Sequence, residues 1–338
     1  MPTPLERRCA ELLDELALVD PGETLDVRPL TGGVASDIAR VGTAARTLCV
    51  KFALPRLRVA ADWFAPVHRN AAEYAWLEIA ARIAPEGAVT LHGRSGALHG
   101  FVMEYLYGED VYLWKTALLD EAPDRGEAAS VGDLLGRVHA ASTASGFDVG
   151  PFENRDDFLA LRVEPYLLHV ATVHPDLAPT LTGMAERLLD ARSVLVHGDV
   201  SPKNVFLRTR GPILLDAECA TMGDASFDPA FCLSHLVLKA VHLPRSRERL
   251  LGSVLALWRA YRPSVVWEPV DAVESRVCEL LPALMLARVD GKSPVEYLTD
   301  AERDTVRRTA RRCLRSPVER LDDFVRAVDE RLEPSKTD

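Results

Sequence analysis

The chain predicts an α+β protein of two lobes, an antiparallel-sheet N-lobe and a mostly helical C-lobe. Strand-type apolar runs broken by turn residues crowd into residues 25–106, whereas from Val131 onward apolar residues recur three and four apart, as on one face of a helix. A length of 338 residues is also long for one hydrophobic core. The expected division is residues 1–105 for the N-lobe and 106–338 for the C-lobe.

In the N-lobe, Leu5, Leu12, Leu13, Leu16 and Val19 give a packing helix over 5–19, stopped by Pro21-Gly22. Leu25–Leu30 and Ile38–Val41 alternate as strands do, and Thr31-Gly32-Gly33-Val34-Ala35-Ser36-Asp37 joins them as a Gly-rich hairpin. Adjacent glycines permit close backbone approach to a phosphate, with Ser36 as a donor, although Gly-Gly in a hairpin is commonly just a turn. The strand Thr47–Phe52 carries Lys51 near its end, and an insertion containing Pro55 leads to a helix from Arg69 to Ile83. Val89–Gly93 and Ala97–Leu106 form two further strands around Arg94-Ser95-Gly96 and complete a five-stranded sheet.

In the C-lobe, Val131, Leu134, Leu135 and Val138 mark one helix and residues 155–173 another, followed by a connector at 174–180, after which Leu181–Leu189 leads to the next strands. His139 and His169 are lone histidines on these helices, suited to core or surface roles. Asp228 before Pro229 is an N-cap signature for a helix over 229–242, with further helices over 246–261 and 271–289. Arg288, Asp290 and Lys292 close the last of these, where charges are commonly solvated or capping. From Glu302 both charges intermix, so the arginine cluster at 307–312 makes a salted helix face.

The chemistry concentrates in Val194–Leu207, two apolar runs around His197-Gly198-Asp199-Val200-Ser201-Pro202-Lys203-Asn204, and in the next run, Ile213–Leu215, which ends on Asp216-Ala217-Glu218. Asp199 and Asn204 lie five residues apart around Pro202, and one hairpin further on comes Asp216, so their side chains can converge. A carboxylate can orient a hydroxyl and accept its proton, while an amide oxygen and a second carboxylate are hard ligands for a Mg²⁺ that bridges nucleotide phosphates. This is the inventory of phosphoryl transfer to an alcohol.

These residues resemble the aminoglycoside phosphotransferase and choline kinase superfamily, a small-molecule branch of the protein-kinase-like fold, over roughly residues 27–240. The resemblance implies ATP and Mg²⁺ as cofactors, Asp199 as catalytic base, and Asn204 and Asp216 as metal ligands. Glu218 matches an acidic position of the methylthioribose kinase branch, and Lys51-x-Ala53-x-Pro55-x-x-x-Val59 is similar to that branch too. By the same comparison Gly32, Gly33 and Ser36 approach the phosphates, and Lys51 pairs with them. Glu73, with Glu78 as the alternative, partners Lys51; Glu104, Tyr105 and Leu106 form the hinge that meets adenine, and Met103 lines the rear of the pocket.

Composition narrows the partners. A net charge of -10 argues against nucleic acid, whose binders cluster Lys and Arg. Six cysteines without a C-x-x-C pair fit a reducing cytoplasm and indicate neither a zinc ribbon nor a disulfide framework. No apolar run reaches membrane-spanning length, and the N-terminus has no signal core. The expected partner is a small-molecule alcohol; the assembly is left open, a homodimer being one option. Two rival readings are a catalytically inactive nucleotide-binding scaffold of the same fold and a metal-dependent hydrolase using His197, Asp199, Asp216 and Glu218. Lys51, Asp199, Asn204 and Asp216 would each cost desolvation if buried without a ligand, which disfavours the scaffold, and the hydrolase lacks a second histidine at ligand spacing. Sequence leaves the acceptor open: an aminoglycoside pocket needs many carboxylates, a choline pocket an aromatic cage.

Overall fold

The computed structural model describes residues 2–30, 35–58, 64–85 and 87–332. Helix α1 (Pro4–Glu15) starts on a capping box, in which the Glu6 amide donates to the Thr3 hydroxyl and the Thr3 amide to the Glu6 carboxylate. It ends before the expected Val19. Ala17 turns left-handed at φ 53°, and the Leu18 amide donates back to the Leu13 carbonyl at 2.9 Å.

Strands β1 (Asp26–Leu30), β2 (Ser36–Gly42) and β3 (Thr47–Ala53), helix α2 (Arg69–Ile83), and strands β4 (Leu91–Ser95) and β5 (Gly100–Glu104) follow in chain order. The strands form one antiparallel sheet in the order β1-β2-β3-β5-β4. β3 is its middle strand, buried from Leu48 to Ala53 because both faces are covered. Leu48, Val50 and Phe52 pack on the α1 side with Leu12 and Leu13, while Cys49 belongs to the core shared with α2 and the C-lobe. The two-residue period therefore puts Lys51 on the Cys49 face, toward α2. β4 lies two residues later than expected: a bulge between Leu91 and Gly93 extends it to Ser95, and the chain reverses where His99 takes φ 47°.

The C-lobe begins with β6 (Tyr112–Leu113), α3 (Trp114–Leu119) and α4 (Glu127–Ser142). A continuous helical run then covers the expected 155–173 as α5 (Arg155–Phe158), a wide-wound π-helical stretch (Leu159–Leu168) and α6 (His169–Val173). The wide winding contains Pro165, which has no amide to donate. After α7 (Ala178–Asp190) come β7 (Val194–Val196), β8 (Val205–Arg208), β9 (Gly211–Leu214) and β10 (Thr221–Gly223). β7 pairs with β10, and β9 and β6 flank β8, so the polar loop at 197–204 is fixed at both ends by strands. Helices α8 (Phe227–His242), α9 (Arg247–Tyr261), α10 (Val270–Asp290), α11 (Asp300–Arg315) and α12 (Leu321–Leu332) complete the lobe. α8 is its axis, buried from Phe227 to Val241. Of the arginine cluster, Arg307 pairs with Asp290 and Asp304 and Arg311 with Asp176, which Arg315 meets as well. All six cysteines are buried thiols. Among the described residues no helix is long and apolar enough to cross a membrane.

The tightest helix crossing is between α4 and α9, where a β-carbon on Gly132 would overlap the Leu257 carbonyl. Backbone cannot rotate away as a side chain can. Gly132→Ala should therefore cost about 1–3 kcal/mol, the range for overpacking. Urea unfolding is the measurement, and an unchanged midpoint would refute so close a crossing.

Candidate active site

The loop after β7 is shaped before any side chain acts. Gly198 has φ 83°, and a β-carbon there would stand 2.9 Å from Cys219 Cβ and 3.0 Å from its carbonyl oxygen. The His197 and Gly198 amides donate to the two Asp228 carboxylate oxygens at 2.6 and 2.9 Å. This corrects the expectation for Asp228. The helix begins at Phe227, inside which Asp228 is fully buried, and its carboxylate holds the loop rather than capping the helix. His139 supports it from behind, 3.3 Å from Asp228 and 2.8 Å from the Tyr261 hydroxyl. His197 is structural. Its Nδ1 accepts from the Asp199 amide at 3.2 Å, its ring meets Trp76 edge-on, and burial holds its pKa low, hence a neutral imidazole.

Asp199 is buried, with Ser201 Oγ donating to Oδ1 at 3.2 Å and two cations on Oδ2, Arg162 at 3.1 Å and Lys203 at 3.2 Å. Burial alone would raise its pKa; Lys203 and Arg162 outweigh that and hold the carboxyl below its ordinary value. Asn204 donates from Nδ2 to the Asp199 carbonyl at 3.1 Å, and its own carbonyl accepts from the Leu215 amide at 2.9 Å. One short bridge thus ties the loop to the hairpin that carries Asp216.

Asp216 is left-handed at φ 70°, unusual for a non-glycine residue, and is held there by its partners. Its amide donates to Glu73 Oε1 at 3.1 Å, and its Oδ1 lies 2.5 Å from Lys51 Nζ. Lys51 also meets Glu73 at 2.7 Å, both nearly sealed from solvent, whereas Glu78 is exposed. One ammonium between two carboxylates splits their behaviour. Burial pushes Glu73 up to about 7 against the pull of Lys51, while Asp216, despite burial, is held well below its usual range by Lys51 and Lys203.

Glu218 sits in the same turn but is paired with Arg69 at 2.7 Å. Arg69 is completely buried and also donates to the carbonyls of Ala35, Leu54, Ala65 and Pro66. Ser36 is buried opposite Ala53 in the β2–β3 ladder, while Gly32, Gly33 and Val59 lie outside the described residues. Met103 is buried between Cys49 and Leu91. The Glu104 carboxylate is taken by the Thr90 amide at 2.7 Å and Arg208 at 2.8 Å, with Tyr105 and Leu106 half-buried beyond it. Sequence reasoning missed Arg69, Arg162 and Lys203. Lys203, four residues after Asp199, could have been found from the loop itself; Arg162 gave no local signal. Among the described residues no group of three or more His, Cys, Asp or Glu could hold a metal ion, so the hydrolase reading has no ligand set.

Two solved structures share this arrangement of lobes. A choline/ethanolamine kinase family protein from Mesorhizobium loti aligns with a TM-score of 0.55 at 18% identity, over 97% of this chain and 100% of that one. An amicoumacin kinase in complex with AMP-PNP, Ca²⁺ and Ami aligns with a TM-score of 0.56 at 13% identity, over 95% and 98%. The fold is thus protein-kinase-like. The family follows from sequence: this chain belongs to the phosphotransferase enzyme family, whose profile matches residues 26–264, from β1 to just past α9. Methylthioribose kinases from Pectobacterium atrosepticum and Pectobacterium carotovorum are 26% and 25% identical to it, over 63% and 65% of this chain. The matches span 61% and 63% of those proteins, less than two thirds of their length.

The raised Glu73 carboxyl predicts a pH dependence of folding. A pKa higher in the folded than in the unfolded chain contributes stability that is fully present below the unfolded value, near 4.5, and lost as pH rises through about 7. Between pH 5 and 8 the wild type should lose stability relative to Glu73→Gln, compared by denaturant unfolding. Parallel profiles would mean that the Glu73 carboxyl is not held up.

Proposed function

We propose that this protein is an ATP- and Mg²⁺-dependent kinase that transfers the γ-phosphoryl group to a hydroxyl of a small molecule. The observation that carries the reading is the convergence of Lys51, Glu73 and Asp216 with Asp199 and Asn204, joined by the bond from the Asp216 amide to the Glu73 carboxylate and the Leu215–Asn204 backbone bond. Lys51, positioned by Glu73, pairs with the nucleotide phosphates. Gly32, Gly33 and Ser36 are assigned to contact them, and Glu104 to Leu106 form the hinge against the base with Met103 behind it, dividing the lobes near residue 105.

The donor set fits magnesium. Asn204 Oδ1 has no hydrogen-bond partner among the described residues, and Asp216 offers a carboxylate held ionised. Glu218 keeps one oxygen outside its bond to Arg69 and joins the metal's shell with it, directly or through water. The ion, when bound, neutralises phosphate charge. Asp199 takes the acceptor side: its carboxylate cannot deprotonate an alcohol in advance, so it aligns the hydroxyl and receives the proton late. Arg162 and Lys203 keep that carboxylate ionised and fixed. The name of the curated relatives, methylthioribose kinase, is consistent with a hydroxylated small molecule as acceptor.

ADP release screened over sugars, amino alcohols, choline, homoserine and aminoglycosides finds the acceptor. With it, Asp199→Asn should lower turnover by roughly 10²-fold or more, the scale of general-base contributions, with little change in ATP affinity. Near-normal turnover in that variant would overturn the role of the loop and the mechanism with it.

A further inference from the structure

On its C-lobe side the loop leads into a group of cations that the reaction as derived does not use. Lys239, on α8, is 1% exposed. Among the described residues no carboxylate lies within ion-pair distance of it; its ammonium has only the face of Tyr297, 5.1 Å from the ring centre. One turn earlier on α8, His235 is buried with no hydrogen bond to Nε2. Facing them from α10, Arg288 is buried with Nε unpartnered, while its Nη1 donates to the Tyr166 hydroxyl at 3.0 Å and to Ser293 Oγ at 3.2 Å. The Tyr297 hydroxyl is buried and unpartnered as well.

Contacts join these groups to the catalytic loop: Arg288 meets Tyr166, which lies four residues after Arg162 on the π-wound stretch, and Arg162 reaches Asp199 at 3.1 Å. Burial, and after it the charges of Arg288, Lys239, Lys203 and Lys115, drive the His235 imidazole well below its ordinary range. Lys203 is the same residue that touches Asp199. Burial and then Lys115 pull the Lys239 ammonium down to about 7. The nearby carboxylates are engaged elsewhere: Glu296 with Lys115, Glu164 with Lys292, and Asp290 with His174 and Arg307. A buried lysine without a counter-charge, beside three sealed polar atoms without partners, is costly to fold, since each unsatisfied group has given up its hydrogen bonds to water and gained none in return. An anion among them would supply the missing partners.

We propose that the acceptor alcohol carries an anionic group, a carboxylate or a phosphate monoester, held by Lys239, Arg288, His235 and the Tyr297 hydroxyl while its hydroxyl is presented to Asp199. The inference rests on the kinase reading above and deepens it. It sets this group of side chains apart from a site built for a polycation, which would need carboxylates where this one has Lys239 and Arg288. A choline cage fails on the same charge.

The test is calorimetric titration of the full chain, saturated with AMP-PNP and Mg²⁺, with four sets of alcohols. Glycerate and gluconate carry carboxylates; glycerol 3-phosphate and ribose 5-phosphate carry phosphate; glycerol, ribose and methylthioribose are neutral; choline and kanamycin are cationic. The tightest ligand should be an anion, bound at least tenfold more tightly than the best neutral or cationic alcohol, and the two anionic sets identify its headgroup. Lys239→Met, which keeps the buried stem, and Arg288→Met should each weaken that ligand tenfold or more, AMP-PNP binding reporting that the variants are folded. A neutral or cationic alcohol binding as tightly as the best anion would overturn the proposal, as would anion binding indifferent to both substitutions. The kinase reading fails separately. If the wild type did not bind AMP-PNP, that reading would fall, and the same titrations without nucleotide would still decide the charge of the pocket.

Discussion

One buried ammonium joins the two lobes at their chemical centre. Lys51 comes from the middle strand of the sheet, Glu73 from the helix packed on that sheet, and Asp216 from a hairpin of the other lobe. Neither carboxylate could be buried alone without a large loss, and Lys51 could not be buried without them. The left-handed backbone of Asp216 and its amide bond to Glu73 are both consequences of meeting this cation. Arg69, one turn before Glu73 on the same helix, repeats the device with Glu218. A single face of α2 therefore grips both carboxylates of the Asp216-Ala217-Glu218 turn, and its seating sets where they stand.

Beyond that joint, the site is a sequence of charges in which the pairing of the cations changes from one to the next. Lys51 holds Asp216, Arg162 and Lys203 hold Asp199, and further into the C-lobe Arg288 and Lys239 have no carboxylate within ion-pair distance among the described residues. The balance shifts from matched to excess positive charge along this path. On a protein whose net charge is -10, so local an excess reflects the site and not the composition.

Local pattern made the framework legible. Helix α2 has the bounds expected from its periodicity, Arg69–Ile83, and the central strand and the hairpin after the loop fell where alternation placed them. The contact between Lys51 and Glu73 followed from a resemblance and from the proximity of Glu73 to the helix start. What could not be read was tertiary in origin. Asp228 before Pro229 satisfies every local rule for a cap, yet the backbone amides of a distant loop compete for its carboxylate and win. Arg162 lies 37 residues before Asp199 on a helix whose pattern looks like ordinary packing, and only the fold brings them to 3.1 Å. The strand near residue 91 was misplaced because a bulge breaks the two-residue period on which the reading depended.

The π-wound stretch shows how a defect in one element becomes a fixture of another. In regular α-winding the residue at position 165 would donate its amide to the Leu161 carbonyl; proline cannot, and that carbonyl accepts from Arg162 Nη1 at 2.7 Å. The Pro165 carbonyl, displaced by the same widening, accepts from the Lys292 amide at 3.1 Å and so carries the segment following α10. The Leu161 carbonyl is thus a handle for the guanidinium that faces Asp199. Regular α-winding at this point would move that carbonyl and with it one of the anchors by which the arginine is aimed.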